Sequence, residues 1–347
     1  MAEPDPDLWP RTLQRLASHE SLSADDAAEV MHAIMAGDVT PAQIGGFLMA
    51  LRTKGETVDE LDGLARTALG FARPVSVAGP VLDTCGTGGD RSGTFNISTL
   101  SAIVVAGAGV PVAKHGNRAA SGLCGSADLL EALGVAIDLE PEGVERCLTE
   151  ARIGFMFAPV FHPAWGHAGP VRRELRVPTS FNFLGPLTNP ARPASQIVGV
   201  SDERMLPLMA EVLARRGTRA KLFRGEDGLD ELTTTGPSIV LDVLDGEVRE
   251  GRLDPGDHGI ARASREDLLG GDAAESARIA RAVLDGEAGP RRDIVMLNAG
   301  AALEVAGAAP DLGQAIALAA ASIDDGSAAA TLARWVEVSA AAKEDGR

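Results

Sequence analysis

The stretch from Asp83 to Asp128 constrains the fold more than any other part of the chain. The apolar pair Val81-Leu82 leads into Gly86-Thr87-Gly88-Gly89-Asp90, and a second turn follows at Ser92-Gly93-Thr94. Asn96-Ile97-Ser98-Thr99 then opens a helical pattern that runs to Ala108. A β-branched run, Val110 to Val112, stops at Lys114-His115-Gly116-Asn117-Arg118. The order is strand, glycine loop, helix, strand.

Such a loop favours an anion. Glycines lack Cβ, so their backbone N–H groups can approach a ligand closely. The free N–H groups and the dipole at a helix start attract phosphate. Thr94, Ser98 and Thr99 add hydroxyl donors, and Asp90 and Asn96 suit a sugar hydroxyl or a hydrated metal. Lys114 and Arg118, at the end of the next strand, are expected to face the same crevice. A single glycine loop is as readily an unliganded turn capped by Asn96 or Ser98. Two loops carrying hydroxyls and cations after successive strands favour a polyphosphate. The spelling is not that of a P-loop, and no G-x-G-x-x-G with a matching acid supports a dinucleotide fold.

Charge narrows the partners. The formal net charge of −17 argues against nucleic acid and anionic membranes. Any phosphate site is therefore expected to be a local basic pocket in an acidic protein. With 347 residues, 45% of them hydrophobic, the chain can build two domains or one large one. Cys85, Cys124 and Cys147 form no C-x-x-C pair, which fits free thiols in a reducing cytosol. There is no signal peptide or membrane-length apolar run, and the polar Met1–Pro6 segment is expected to fray.

Residues up to about Pro74 read as short helices. Ser23 with Asp26, Thr40 with Gln43 and Thr57 with Glu60 are capping boxes, and Gly37 and Gly55 are stops. Phe47, Leu48 and Leu51 make an apolar stripe that continues at Leu61, Leu64 and Leu69. Four short helices should struggle to hide it, so a partner is plausible. Further on, a helix from Ser126 to Gly134, a strand over Val135 to Asp138 and a helix from Pro141 to Ala151 are expected. Half of the aromatic residues fall between Phe155 and Phe183, and they suggest a wall for a flat apolar ligand or ordinary core. Arg172 follows them, and arginine grips carboxylates bidentately. Gly185 to Pro190 reads as a hinge, Gln196 to Val200 and Ala220 to Phe223 as strands, and Asp245-Gly246 as a hairpin turn. Asp230 and Glu231 are adjacent carboxylates. Beside a diphosphate they suit Mg²⁺; without one they would be an exposed acidic loop. The rest of the chain reads as alanine-rich helices.

The glycine-loop, Asn96–Thr99 and Lys114–Arg118 segments resemble the phosphoribosyl pyrophosphate (PRPP) signatures of the anthranilate phosphoribosyltransferase family, in order and over nearly the whole chain. The resemblance implies an α/β fold, with a small N-terminal helical domain plus a large α/β domain whose mixed, mainly parallel sheet is flanked by helices. The helical domain would comprise residues 1–74 with an inserted segment at about 160–190. The α/β domain would comprise residues 75–159 and 191–347. PRPP would be held by Gly86, Gly89, Asp90, Thr94, Asn96, Ile97, Ser98, Thr99, Lys114, His115, Gly116, Asn117, Arg118, Ala119, Ala120, Ser121, Gly122 and Ser126. Anthranilate would be held by Gly86, Asn117, Ala158, His162 and Arg172, with the carboxylate on Arg172. Ser98, Asp230 and Glu231 would hold magnesium, in two ions. A homodimer through the helical domain and a cytoplasmic location are also implied. No general base is assigned, and His115 is a candidate proton acceptor. Trp165 stands where the family varies, and Arg224 where histidine is common. Two other readings stay open. A pyrimidine nucleoside phosphorylase of the same fold class would cleave thymidine with phosphate. A non-catalytic paralogue would retain DNA at low salt.

Overall fold

The computed structural model describes residues 7–119 and 123–346. Its centre is a seven-stranded sheet in the order β3-β2-β1-β4-β5-β6-β7. The strands are β1 (Leu82–Gly86), β2 (Val112–Gly116), β3 (Ile153–Phe157), β4 (Ser195–Gly199), β5 (Arg219–Gly225), β6 (Ser238–Leu244) and β7 (Glu247–Leu253). The first five pair in parallel, and β6 and β7 are antiparallel. The sheet is therefore mixed and mainly parallel, with helices on both faces. The chain runs outward from β1 in one direction and from β4 in the other. The crevice beyond their C-terminal ends is thus the switch point where α/β sheets take ligands.

Two cores sandwich the sheet. On one face the helix Ile97–Gly107, buried almost all round, packs with the C-terminal helices Pro290–Val305, Leu312–Asp324 and Ser327–Asp345. On the other, the N-terminal helices share a core with Ala168–Leu187 and the helix Met205–Arg215. All three capping boxes form as read. Phe47, Leu48, Leu51, Leu61 and Leu64 are fully buried within their own chain, and Leu69 at the end of the stripe is half-buried.

Some boundaries differ from expectation. β2 begins at Val112 because Pro111 cannot donate to a ladder, so Lys114 and His115 lie on the strand rather than beyond it. Val135, Ile137 and Leu139 do alternate inward. Among the described residues no strand pairs with them, however, and Ala136 N–H donates to Ser339 Oγ of the last helix at 3.0 Å. Ser126 is the first helical residue, and Gly125 is the cap. The hairpin turn forms with Asp245 and Gly246 both left-handed, at φ 54° and 78°. The Met1–Pro6 segment lies outside the described residues. Among the described residues no helix is long and apolar enough to cross a membrane.

Candidate active site

A cavity of about 780 Å³ opens beyond the C-terminal ends of β1 and β2. It is lined by Gly86, Gly89, Asp90, Thr94, Asn96, Ile97, Ser98, Thr99, Lys114, His115, Gly116, Asn117, Arg118, Ala119, Ser126, Asp230 and Glu231. Every described residue expected to hold PRPP or metal therefore meets in one place. Ala120, Ser121 and Gly122 lie outside the described residues.

The acid pair is drawn in by the backbone. Asp230 Oδ2 accepts from Gly88 N–H at 2.7 Å, and Glu231 Oε1 accepts from Ser98 N–H at 3.1 Å. That second bond caps the helix Ile97–Gly107, which neither Asn96 nor Ser98 does. The Asn96 side chain instead donates to the Cys124 carbonyl at 3.1 Å. The approach needs glycine at two strand ends. A Cβ on Gly86 would lie 2.6 Å from Asp230 Oδ2, and one on Gly199 would lie 1.5 Å from the Asp230 carbonyl oxygen. Burial, and then the neighbouring Asp90, raise the Asp230 carboxyl to about 7. Burial, with Asp230 beside it, raises Glu231 well above its usual range.

Among the described residues, Asn96 Oδ1 and Thr99 Oγ1 are buried without a hydrogen-bond partner, and Asp90 Oδ2 has the Asp230 carboxyl beside it. A buried orphan is costly, so the Asn96 and Thr99 atoms are fitted to a ligand. Among the described residues no three acid, histidine or cysteine groups close into a cage for an ion by themselves. That donor set fits Mg²⁺, which keeps several water or phosphate oxygens and takes only one or two carboxylates.

The expected basic pocket is not what forms. Lys114 is only 2% exposed, donating to the Thr84 carbonyl at 2.5 Å and to Ser98 Oγ at 3.3 Å. Burial lowers its pKa. Arg118 sits at the rim with its guanidinium on Asp128 (2.8 Å) and Glu131 (2.5 Å) and over the Phe157 ring. Its charge is thus turned to the rim acids instead of the crevice.

Ala158, His162 and Arg172 stand beside this cavity rather than in its lining. They meet it through His115, whose ring centroid is 4.8 Å from that of His162. His162 packs on Trp165, Trp165 on Phe181, and the Arg172 guanidinium lies 5.8 Å from the Phe181 ring centre. Ala158 opens the short helix whose first carbonyl accepts from His162 N–H at 2.8 Å. Burial, and then His162, push His115 down to about 3; burial pushes His162 down to about 4. Both rings are neutral at pH 7. Among the described residues His115 Nε2 and Trp165 Nε1 are buried and unpartnered, and the buried His162 ring lies against the Thr188 backbone. Burial also lowers Arg172, and no acid among the described residues pairs with it. The aromatic wall is mostly core: Phe155, Phe161, Phe181 and Phe183 are buried, leaving Phe157 and Trp165 half-buried.

Sequence reasoning missed Asp83, Gln196 and Ser201. Asp83 is fully buried under the floor, where it accepts from His115 N–H at 3.3 Å. Gln196 donates to the Pro186 carbonyl at 2.6 Å. A polar residue inside an apolar strand run was the available signal for both.

Residues 10–72 match the model of the helical bundle domain of a glycosyl transferase family, and residues 78–329 match that of its a/b domain. Among similar proteins is the anthranilate phosphoribosyltransferase of Arthrobacter sp. (strain FB24), 57% identical over 85% of this chain and 84% of that protein. That of Salinispora arenicola is 53% identical over 96% and 98%. The Thermus thermophilus anthranilate phosphoribosyltransferase structure superposes with a TM-score of 0.90 at 45% identity, covering 94% of this chain and 99% of that one. The Saccharomyces cerevisiae enzyme in complex with PRPP and Mg gives 0.89 at 27% identity, covering 97% and 99%.

Proposed function

The chain belongs to the glycosyl transferase family of the anthranilate phosphoribosyltransferases, and from that premise we propose how its residues share one reaction. It transfers the phosphoribosyl group of PRPP to the amine of anthranilate, giving N-(5-phosphoribosyl)anthranilate and pyrophosphate, a step of tryptophan biosynthesis. One observation carries the assignment of roles. A single cavity joins a glycine loop, a helix N-terminus and a buried acid pair, and His115 on its wall leads through His162, Trp165 and Phe181 to Arg172, which pairs with no acid among the described residues.

The diphosphate and ribose lie along Gly86–Thr99 and Lys114–Ser126, where loop N–H groups, hydroxyls and Lys114 bind anionic oxygens. Ser98, Asp230 and Glu231 would hold Mg²⁺. We propose two ions, since the carboxylates lean on different walls, toward Gly88 and toward Ser98. Bound there, magnesium supplies charge neutralisation for the departing diphosphate.

Arg172 binds the anthranilate carboxylate, and Gly86, Asn117, Ala158 and His162 border the ring. Holding the amine in line with the anomeric carbon supplies much of the rate. As the C–N bond forms, the nitrogen becomes an N-aryl ammonium, a strong acid. We propose His115 Nε2, buried and facing the cavity's proposed amine site, as the acceptor of its proton.

We also propose the two-domain division at 1–74 with about 160–190, and 75–159 with 191–347. It is supported by the core that joins Leu8–Ala68 to Ala168–Leu187, a core that continues onto the helix Met205–Arg215 where the two domains meet. The homodimer through the helical domain rests on family kinship alone. A cytoplasmic location is supported by three free thiols.

The test mixes the protein with anthranilate, PRPP and Mg²⁺ and follows the loss of anthranilate fluorescence. Turnover is expected, EDTA abolishes it, and Asp230→Ala with Glu231→Ala lowers it. No consumption of anthranilate by folded protein, or phosphate-dependent thymidine cleavage in its place, overturns the reading.

A further inference from the structure

The glycine loop has little of its own to hold it in place. Gly88 and Gly89 sit at φ 67° and 89° and carry no side chain that could pack. What fixes the loop is the turn after β4. Ser201 Oγ donates to the Gly88 carbonyl at 2.7 Å and lies 3.1 Å from Thr87 Oγ1. Ser201 N–H donates to Thr87 Oγ1 at 3.0 Å. Its carbonyl accepts from Arg224 Nε at 3.1 Å. Gly88 is thereby pinned twice, by Ser201 at its carbonyl and by Asp230 at its N–H. The turn itself is anchored: Asp202 accepts from Arg52 of the helix Pro41–Lys54 at 3.0 Å and from Arg204 at 3.1 Å.

We propose that Ser201 is a positioning residue for the substrate diphosphate, acting through the glycine loop it latches to the end of β4. This rests on the PRPP reading of the cavity. Ser201 touches no reacting atom; its hydroxyl selects the loop conformation that keeps Gly88, Gly89 and Asp230 on the wall of the same cavity. Without it the loop samples alternatives, and binding is reduced by the fraction of time the competent form is absent.

The experiment compares wild type with Ser201→Ala and Ser201→Thr. The alanine variant is expected to raise the KM for PRPP about tenfold, with the KM for anthranilate within twofold and the melting temperature nearly unchanged. The threonine variant, which keeps the hydroxyl, restores most of the loss. In ligand-free protein, amide exchange at Thr87 to Gly89 rises about tenfold in the alanine variant and not in the threonine one. An unchanged KM for PRPP with unchanged exchange overturns the inference. So does an equal rise in both KM values with a falling melting temperature, which would mark a general scaffold role. If wild type fails to use PRPP at all, the functional reading falls and this role falls with it. The exchange measurement would still report whether the latch exists.

Discussion

Gly86→Ala separates the demands of the site from those of the fold. A methyl at Gly86 would sit 2.6 Å from Asp230 Oδ2 and 3.2 Å from its Cγ, where ordinary contact begins at 3.4 Å. The carboxylate must therefore retreat by about 0.8 Å. That stretches its 2.7 Å bond to Gly88 N–H and moves an oxygen proposed to hold magnesium. A displacement of about 1 Å at a reacting centre costs on the order of 100-fold in rate, or about 2.7 kcal/mol of transition-state stabilisation. So kcat/KM for PRPP should fall about 100-fold. Stability should hardly move, because Gly86 is not left-handed and its obstacle is the end of a side chain. Gly199→Ala is the control. Its methyl would meet the Asp230 backbone at 1.5 Å, which no side-chain rotation relieves, so that variant should melt far lower. The assays are fluorescence-monitored steady-state kinetics and thermal melts on all three proteins. A Gly86→Ala enzyme within threefold of wild-type kcat/KM would refute the reasoning, as would one that melts as low as Gly199→Ala.

Arg172→Ala should raise the KM for anthranilate about 10- to 100-fold, the worth of a lost charge-assisted pair, and leave that for PRPP within twofold; unchanged anthranilate affinity sinks the assignment. His115→Gln should gain stability relative to wild type as pH falls. The ring titrates at about 3 when folded against about 6.5 when unfolded, so the unfolded state takes the proton first and wild type weakens below about 6.5. The relative gain between about pH 6.5 and pH 4.5 should be on the order of 2 kcal/mol by denaturant melts. Asp230, raised to about 7, slopes the other way, its stabilising share being lost as pH rises through that value. The difference between variant and wild type is therefore the observable, and a pH-independent difference counts against it. Glu60→Ala should cost about 3–5 kcal/mol by the same melts. Glu60 is fully buried and accepts from Leu22 N–H and Thr57 N–H, both at 2.9 Å, while pairing with Lys54 at 2.9 Å. A loss under 1 kcal/mol would contradict that.

What the sequence made legible was local. The capping boxes at Ser23, Thr40 and Thr57 are four-residue signals, and each formed as read. The hairpin at Asp245-Gly246 formed because few other residue pairs tolerate two left-handed positions. The glycine loop and the Lys114–Arg118 segment were legible as a pair because a helix joins them directly. Tertiary partners were less visible. The alternation at Val135–Leu139 was real, but whether an alternating segment joins a ladder depends on a neighbour 203 residues away at Ser339. Ser201 carries no motif. Its meaning comes from Thr87, which lies 114 positions earlier. The aromatic cluster misled because composition counts rings without saying which way they face, and four of the six face inward.

Charge shows the same limit at the site. An overall −17 suggested that a diphosphate would need a basic pocket. The cavity instead sets Asp90, Asp230 and Glu231 against a buried Lys114, an Arg118 committed to two acids, and the exposed Arg91. Alone, that balance would repel a polyanion, and the carboxyls of Asp230 and Glu231 are raised first by burial and then by the acid beside each. The same acids occupy the Gly88 and Ser98 N–H groups that a phosphate would use. A divalent cation held by the carboxylates would relieve their repulsion and would free those N–H groups together. Phosphate and metal then favour one another by linkage, since each removes an obstacle to the other. An acidic protein can thus hold a polyanion selectively, because the site rewards the charge-balanced pair and neither component alone.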